Sequence, residues 1–404
     1  MWGRIIDRSH RDEIKLRRCA FPDQPVNDDD FFVGFRAVDG MPGMRTPSVN
    51  RTQAELFPTL EEPQPKSLHR PEQSETHKSF RTVLENYTRR LEGMQSSLPL
   101  VMATFPLMNT AGATARLKRE AKKYGSLVER TEGHEVFRLP DHAWPNVVHC
   151  IEQARAGRSF ADAAPGMFLI GLVSFYDGFL ANLLEQLFVT CPQLLDVSQK
   201  QLTFEELTQL GSIDAARQHI MLKEVEVFLR DSHSDHFANL EKKLKMELRK
   251  DLGNWTKFIE ICERRNAWAH NNGVASDSYV INCKREGCEI GSLRRGDTLE
   301  LDPIYMEKAV NVFYEIGAKL CYTIWRKMCP GELEEADAAF NHCCFRLIKM
   351  GQYELAGGLL EYACSAKKYG SDKTRRMMIV NRANALKLSG DLIGARKILN
   401  GTDW

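Results

Sequence analysis

The segment from Pro165 to Leu187 constrains the fold of this chain more than any other stretch of its sequence. It carries two apolar stripes at helical spacing, so a helix here is apolar on most of its sides and must be buried. The stripes are Phe168, Leu172, Phe175, Phe179, Leu183 and Leu187, and Ile170, Val173, Leu180 and Leu184. Pro165 suits the first turn of a helix, where no intrahelical N–H bond is lost. We therefore predict a central buried helix that begins near Pro165.

A membrane span is the alternative for the most apolar part of this region, from Ala163 to Leu184. Its length is close to that of a transmembrane helix, but Asp177 interrupts it and no flanking arrangement of Lys and Arg supports insertion. The first 21 residues are charged every few positions and lack the apolar core of a secretory signal. We therefore predict a cytoplasmic protein without membrane association.

Composition narrows the class of protein further. The chain has 404 residues, 55 basic and 54 acidic side chains, and eleven cysteines. Its length predicts two or three domains. Balanced charge argues against a histone-like coating of nucleic acid, although it leaves room for a local basic site. An odd number of cysteines without a C-x-x-C pair indicates reduced thiols rather than a disulfide framework or a zinc site, and we expect no metal and no cofactor.

Three further long helices follow the central one, and the four together predict an antiparallel helical bundle over residues 161–330. The second helix is expected at Ile213–Leu229 and the fourth at Tyr305–Arg326. The third is expected to be one long helix that runs from Phe237 through Gly253-Asn254 to His270. Thr203 to Glu206 has the pattern of a capping box. Asn271-Asn272-Gly273 is a strong helix stop, because Asn and Gly accept the left-handed backbone conformation. Ser278–Cys283 and Gly287–Leu293 then predict an exposed β-hairpin.

Two segments precede the bundle. Residues 1–78 predict an irregular or extended segment, with six prolines between Pro42 and Pro71 and a single strand at Phe31–Phe35. Residues 79–160 predict a helical domain with helices from Ser79, over Thr114–Tyr124 and over Trp144–Ala154, and with a small β-hairpin of residues 127–130 and 135–138. The Thr114–Tyr124 helix has a basic face, which is either a solvated surface or an RNA contact. That face is made of Arg116, Lys118, Arg119, Lys122 and Lys123.

The C-terminal segment, residues 331–404, contains an internal repeat. Leu347, Gly351, Ala356, Leu359 and Leu360 recur at a constant offset as Leu386, Gly390, Ala395, Ile398 and Leu399. In each copy a helix ends near the glycine and another helix follows, which is typical of tetratricopeptide-like (TPR-like) helical hairpins. Two unrelated helical hairpins are the alternative. Two copies are too few for a stable array, so we expect the pair to pack on the preceding domain or on a partner.

The best candidate for a chemical site is Arg265 with His270, at the end of the predicted third helix. Arg265 lies on an apolar stripe with Phe258, Cys262 and Ala269. Its permanent charge therefore needs an anionic partner or a water-filled cleft, and Asp177 in the first helix is the candidate partner. His270 lies in the last helical turn, where the helix dipole favours its protonated form.

This pair suits metal-independent cleavage of RNA, in which the histidine transfers protons and the arginine stabilises negative charge on the phosphate. Five residues on an ideal helix turn about 140° beyond a full revolution, so Arg265 and His270 share a face only if the helix distorts between them. The Asn-Asn-Gly stop permits such a distortion. A second copy of the site in a homodimer would supply both a general base and a general acid.

These residues resemble the signature of a known superfamily. Arg265-Asn266-x-x-x-His270, at the end of the third long helix, is similar to the motif of the HEPN superfamily (higher eukaryote and prokaryote nucleotide-binding domains). The continuation Asn271-x-Gly273 followed by Tyr279 resembles bacterial members that read R-N-x-x-x-H-N-x-G-x-x-x-x-x-Y. The resemblance covers roughly Pro165 to Lys327, and it implies an HEPN-like four-helix bundle there.

The resemblance also implies a function. HEPN proteins of this kind are metal-independent endoribonucleases, commonly homodimers with both Arg-His pairs at the interface, and they act in toxin–antitoxin or antiphage systems. Arg265 and His270 correspond to the catalytic pair, Asn266 to the polar residue beside them, and Asp177 to a first-helix acid. The expected partners are an RNA substrate, and an antitoxin or regulatory protein at the C-terminal hairpins. Toxins silenced by nucleotidylation carry a tyrosine two residues after the histidine, and Asn272 here argues against that regulation.

Several alternatives remain open on the sequence alone. Arg265 bound to a carboxylate and His270 capping backbone carbonyls would serve structure only, and the chain would then be a non-catalytic HEPN/TPR-like interaction protein. His233-x-x-His236 could hold a metal, but its Ser and Asp neighbours and the lack of a third ligand favour a polar helix entry. The sequence His342-Cys343-Cys344 favours packing residues at helical spacing.

Overall fold

The computed structural model describes residues 31–36, 79–131, 134–195 and 202–403. The described chain is mainly helical and carries one small antiparallel sheet. It forms two compact units. The first contains the described residues 31–36, 103–131 and 134–163, and the second contains 79–102, 164–195 and 202–403. This division differs from the four predicted segments, because residues 79–102 and the C-terminal helices both belong to the second unit.

The first unit is built on a three-stranded sheet in the order β1-β3-β2. Its strands are β1 (Phe31–Arg36), β2 (Ser126–Thr131) and β3 (His134–Leu139), and Val33 of β1 lies opposite Phe137 of β3. The end of α1 (Phe80–Tyr124) and the start of α2 (Trp144–Thr190) complete the unit. Its core consists of Leu117, Ala121, Phe137, Leu139, Ala143, Val147, Cys150 and Ile151. The predicted strand at residues 31–35 and the predicted hairpin are confirmed.

Helix α2 is longer than the sequence predicted. The helix predicted at Trp144–Ala154 and the helix predicted to begin near Pro165 are one continuous helix, and Pro165 lies in its interior rather than in its first turn. An interior proline removes one backbone hydrogen bond. The intervening residues 155–164 include four alanines, the strongest helix formers, which favour a helix that continues up to the proline.

The second unit contains α1 up to residue 102, α2 from residue 164, and all the later helices. The middle of the chain forms α3 (Phe204–Leu210), α4 (Ile213–Leu229), α5 (His233–Leu244), α6 (Trp255–Asn271), α7 (Asp277–Arg285) and α8 (Pro303–Met328). The C-terminal part forms α9 (Leu333–Lys349), α10 (Tyr353–Cys364), α11 (Asp372–Leu388) and α12 (Leu392–Asn400). The predicted capping box is present, because Thr203 and Glu206 exchange their side-chain and backbone hydrogen bonds at the start of α3.

The core of the second unit confirms a central buried helix. Leu172, Val173 and Leu180 of α2 are fully buried. Aromatic rings from neighbouring helices surround Tyr176 of α2, with Phe258 at 5.1 Å and Phe313 at 5.4 Å between ring centroids. By length and composition alone, the helical stretch over residues 141–190 could also cross a membrane, a test that core helices of soluble proteins pass as well.

Two further predictions, both for segments that follow α4, are wrong. The predicted third helix is two helices, α5 and α6, because Lys245 adopts a left-handed conformation at φ 51° and ends α5. Glu241 then accepts hydrogen bonds from the backbone N–H groups of Leu248 and Arg249, which stabilises the connecting turn. The predicted hairpin over residues 278–293 instead begins as helix α7, with the side chain of Ser276 as its N-cap.

The C-terminal repeat is present in the structure. Helices α9 and α11 begin and end at positions 39 residues apart, and α10 and α12 begin 39 residues apart. Gly351 and Gly390, the repeated glycines, both adopt positive φ angles, 81° and 99°, between the two helices of each pair. The two hairpins belong to the second unit, and the first of them packs on the preceding helices as expected, since α9 and α10 both contact α8.

Replacing Gly317 in α8 with alanine is expected to destabilise the second unit by about 1–3 kcal/mol. A Cβ there would lie 2.2 Å from Cε1 of Tyr87, and Tyr87 is held in place because its hydroxyl donates to the carbonyl of Phe313 at 2.6 Å. The control is Gly358→Ala on α10, where the new methyl meets open space and stability should rise by up to about 1 kcal/mol. Urea unfolding measures both, and effects of the same sign would contradict the expectation.

Candidate functional site

The end of α6 is shaped by two consecutive left-handed residues. Asn272 and Gly273 have φ angles of 49° and 75°, and the N–H of Gly273 returns to the carbonyl of Ala267 at 3.1 Å. The predicted helix stop is therefore confirmed. The predicted distortion between Arg265 and His270 is not, because α6 remains α-helical up to Asn271. The two side chains therefore project about 140° apart around the helix axis.

Trp268 fixes this helix end against its surroundings. Its indole N–H donates to the carbonyl of Leu299 at 3.0 Å. A Cβ on Gly166 of α2 would lie 2.2 Å from the indole ring, and a Cβ on Gly273 would lie 2.6 Å from it. The indole thus fits between two glycines, which holds the last turns of α6 close to α2.

Asp177 is the centre of a polar cluster between α2, α5 and α6. Its Oδ2 accepts a hydrogen bond from Nη2 of Arg265 at 3.3 Å, and its Oδ1 lies 2.9 Å from Nε2 of His233. The ion pair of Arg265 with Asp177 that the sequence suggested is therefore present. The side chains of Asp177, Arg265 and His233 are 35%, 21% and 11% exposed, so the cluster lies at the edge of the core.

Several polar atoms around this cluster are buried without a partner. Both ring nitrogens of His236, the hydroxyl of Tyr176 and Nε of Arg265 make no hydrogen bond within the described part of the chain. The ring of His236 stacks on Phe228 at 4.9 Å and lies 5.3 Å from the ring of His233. Burial and the neighbouring His233 lower the pKa of His236 from 6.5 to about 4. His236 is therefore neutral near pH 7.

Lowering the pH from 7.5 to 4.5 is expected to destabilise the second unit through His236. In this range the unfolded chain protonates the group while the folded chain does not, so stability is highest above about pH 6.5 and falls towards the folded pKa of about 4. One pKa unit corresponds to about 1.4 kcal/mol, so the full loss is on the order of 3 kcal/mol.

Urea unfolding at several pH values measures this effect. The variant His236→Phe, which fills similar space without a titratable group, should lose that part of the pH dependence. His342→Gln on the surface of α9 is the matched control and should keep it. A His236→Phe variant as sensitive to pH as the wild type would contradict the expectation.

His270 and Asn266, the other two predicted site residues on α6, do not join the Asp177 cluster. His270 is exposed in the last turn of the helix, and Asn266 is half-buried. Among the described residues, neither side chain contacts Asp177 through a hydrogen bond. The structure therefore brings Arg265 and Asp177 together and leaves His270 accessible on another side of the same helix.

A buried carboxylate, that of Glu260, holds α6 in place on its other side. Glu260 accepts hydrogen bonds from Arg264 at 2.7 Å, from the Tyr279 hydroxyl at 2.7 Å and from the Tyr305 hydroxyl at 2.8 Å. Burial and the Glu260 carboxylate raise the pKa values of both tyrosines, so both remain hydrogen-bond donors. These contacts tie α6 to α7 and α8, and so position the neighbouring Arg265.

The predicted RNA-binding face lies in the first unit. Lys118 is engaged in an ion pair with Glu135 at 2.6 Å. The other four basic residues, Arg116, Arg119, Lys122 and Lys123, are exposed on the last turns of α1. Their contact with RNA remains a prediction.

His233 is the member of the cluster that sequence reasoning missed. The sequence predicted a polar helix entry at His233 and His236, but both rings turn inward, because residues three apart share one face of a helix. The signal was available: the buried stripe Phe237, Leu240 and Leu244 reaches His236 and His233 when it is extended back at helical spacing. Cys343 and Cys344, in contrast, are buried packing residues as predicted. His342 is not, because its side chain is exposed on the surface of α9.

Comparisons with known proteins found no relative of this chain. No family model, curated protein or solved structure matches this chain. Within the described residues, no group of three or more His, Cys, Asp or Glu side chains is arranged to hold a metal ion.

Proposed function

We propose that this chain is a metal-independent endoribonuclease of the HEPN type, with an active site built on Arg265. The observation that carries the proposal is the ion pair of Arg265 with Asp177, which holds a permanent positive charge in a half-buried position at the edge of the core. A guanidinium held in this way suits the negative charge that develops on a scissile phosphate. His270, exposed on the same helix, serves as a proton-transfer group.

The regularity of α6 gives a reason for a homodimer. Since Arg265 and His270 of one chain project about 140° apart, they do not face one phosphate together. In the proposed dimer, His270 of the second subunit approaches Arg265 of the first. The two-fold symmetry then creates two equal sites.

Other regions support RNA cleavage in a regulated setting. The exposed basic residues of α1 provide positive charge for the RNA backbone. The repeated helical hairpins α9–α12 are proposed to be TPR-like and to bind an antitoxin or regulatory protein. As with HEPN ribonucleases generally, a toxin or antiphage effector acting in the cytoplasm is the proposed biological role.

Incubation with total RNA in EDTA tests the proposal. The wild type should cleave, leaving 2′,3′-cyclic phosphate and 5′-hydroxyl ends, because the 2′-hydroxyl is the nucleophile. The double variant Arg265→Ala/His270→Ala should not cleave, whereas Arg230→Ala/His342→Gln, which changes exposed residues of the same types, should match the wild type. Inertness of the wild type with and without divalent metal would contradict the proposal.

A non-catalytic interaction module is the second candidate function. It is favoured by the fact that Asp177 binds two partners, Arg265 and His233, as a purely structural carboxylate would. The last hairpin also exposes Met377, Val380 and Ile393, apolar side chains of the kind that bind protein partners. RNA cleavage by the wild type distinguishes the two functions.

A further inference from the structure

We infer that His233 is a catalytic residue of the proposed ribonuclease site and acts there as the general base. The inference rests on the proposed function and deepens it, because it places a proton-accepting group beside Arg265 within one subunit. The motif of Arg265 and His270 does not supply such a group, because His270 of the same subunit projects from another side of α6. The geometry around Asp177 points to it.

The carboxylate of Asp177 binds both Arg265 and His233. Asp177 binds Arg265 through Oδ2 at 3.3 Å and His233 through Oδ1 at 2.9 Å, so the guanidinium and the imidazole lie on the two oxygens of a single side chain. His233 is the first residue of α5, and the Ser232 N-cap fixes the backbone there. The position of the imidazole is therefore set from two sides.

The hydrogen bond to Asp177 also sets the proton on the ring. A carboxylate accepts, so Nε2 of His233 donates, and the neutral imidazole then carries its lone pair on Nδ1. Nδ1 has no hydrogen-bond partner among the described residues, and the His233 side chain is 11% exposed, whereas both ring nitrogens of His236 are fully buried. An Asp–His pair with one free ring nitrogen is the arrangement by which acyl-transfer enzymes orient a general base.

The groups around the ring of His233 are compatible with its role as a general base. Three titratable groups contact the ring, Tyr176 and Asp177 from α2 and His236 from α5 itself, and Arg265 of α6 binds the other oxygen of Asp177. The charges of Asp177 and Arg265 oppose each other. Tyr176 and His236 are buried and neutral near pH 7, since burial raises the pKa of Tyr176 and lowers that of His236.

The step that follows conserves atoms and charge. Nδ1 of His233 takes the proton of the RNA 2′-hydroxyl, and O2′ forms a bond to phosphorus. The bond from phosphorus to the 5′-oxygen breaks, and that oxygen takes a proton from His270 of the second subunit, which acts as the general acid. Arg265 stabilises the charge on the non-bridging oxygens. The products are a 2′,3′-cyclic phosphate and a 5′-hydroxyl.

The test compares His233→Gln with the wild type in EDTA. Glutamine keeps a donor for Asp177 but cannot accept a proton near neutral pH. We expect kcat to fall by about 100-fold or more with KM within about threefold, the range typical of a lost general base. His342→Gln is the matched control, and urea unfolding of all variants checks that folding is intact.

The outcomes separate the inference from the proposed function. Cleavage by the wild type, with a loss of kcat at nearly unchanged KM in a folded His233→Gln variant, supports both. Cleavage at comparable rates by the wild type and His233→Gln overturns the role of His233 and leaves the proposed function standing. If the wild type does not cleave RNA, the proposed function fails and the inference fails with it.

Discussion

Replacing Arg265 with alanine is expected to lower the rate of RNA cleavage by about 10²–10³-fold, which corresponds to about 2.7–4 kcal/mol of transition-state stabilisation. The side chain is only 21% exposed and is held by Asp177, so its charge acts in a position where water screens it weakly. Alanine removes that charge and leaves His233 as the remaining partner of Asp177. Initial rates on a labelled RNA oligonucleotide measure the effect.

Two control variants separate catalysis from folding. Arg265→Lys keeps the charge but not the planar fork of donors, so its loss of rate should be smaller. Arg230→Ala removes an arginine that is 71% exposed and bound to Glu226 at 2.6 Å, and it should cleave like the wild type. If Arg265 served structure alone, Arg265→Ala would lower the free energy of unfolding while its folded fraction cleaved at the wild-type rate.

Mixing two inactive variants tests the dimer in the same experiment. Hybrids of Arg265→Ala and His270→Ala subunits would contain one intact site, formed by Arg265 of one subunit and His270 of the other. With random exchange of subunits the mixture should recover about a quarter of the wild-type rate. No recovery, with exchange of subunits demonstrated, would contradict a site shared across the dimer.

Replacing Asp337 with alanine is expected to destabilise the second unit by about 3–5 kcal/mol. Asp337 of α9 is fully buried and accepts hydrogen bonds from Arg326, from the Tyr322 hydroxyl at 2.8 Å and from the N–H of Gly370 at 2.9 Å. Its removal leaves a largely buried guanidinium and two other donors without their acceptor. Because these partners lie on α8 and before α11, the loss should loosen the whole C-terminal repeat.

Glu361→Ala in the same repeat is the matched control. Glu361 also binds an arginine, Arg382, but its side chain is 67% exposed, and surface ion pairs contribute about 0–1 kcal/mol. Urea unfolding measures both variants. A loss below about 1 kcal/mol in Asp337→Ala would show that the buried ion pair does not hold the repeat together.

The ion pair of Arg265 with Asp177 could be anticipated from the sequence because both charges interrupt apolar stripes. A charge on a buried face needs an opposite charge nearby, and few other residues met that condition. His233 escaped the same argument because a neutral imidazole does not demand a partner. Its contact with Asp177 depends on the fold, which brings α5 beside α2 and α6.

The boundary between α5 and α6 could not be anticipated for a different reason. Leu248 and Leu252 continue the spacing of the α5 stripe and are buried, although the chain there is no longer a regular helix. Lys245 carries the left-handed conformation without the glycine that usually marks it. Periodicity reports which side chains face the core, and not whether the backbone between them is helical.

The glycines on either side of Trp268 have an evolutionary consequence. Any relative that keeps tryptophan at position 268 must keep glycine at 166 and 273, since a methyl group at either would overlap the indole. A relative with a small residue at position 268 does not require glycine at position 166. It still requires glycine at position 273, where the φ angle of 75° independently favours glycine. Positions 166 and 268 should therefore covary, while position 273 stays constant.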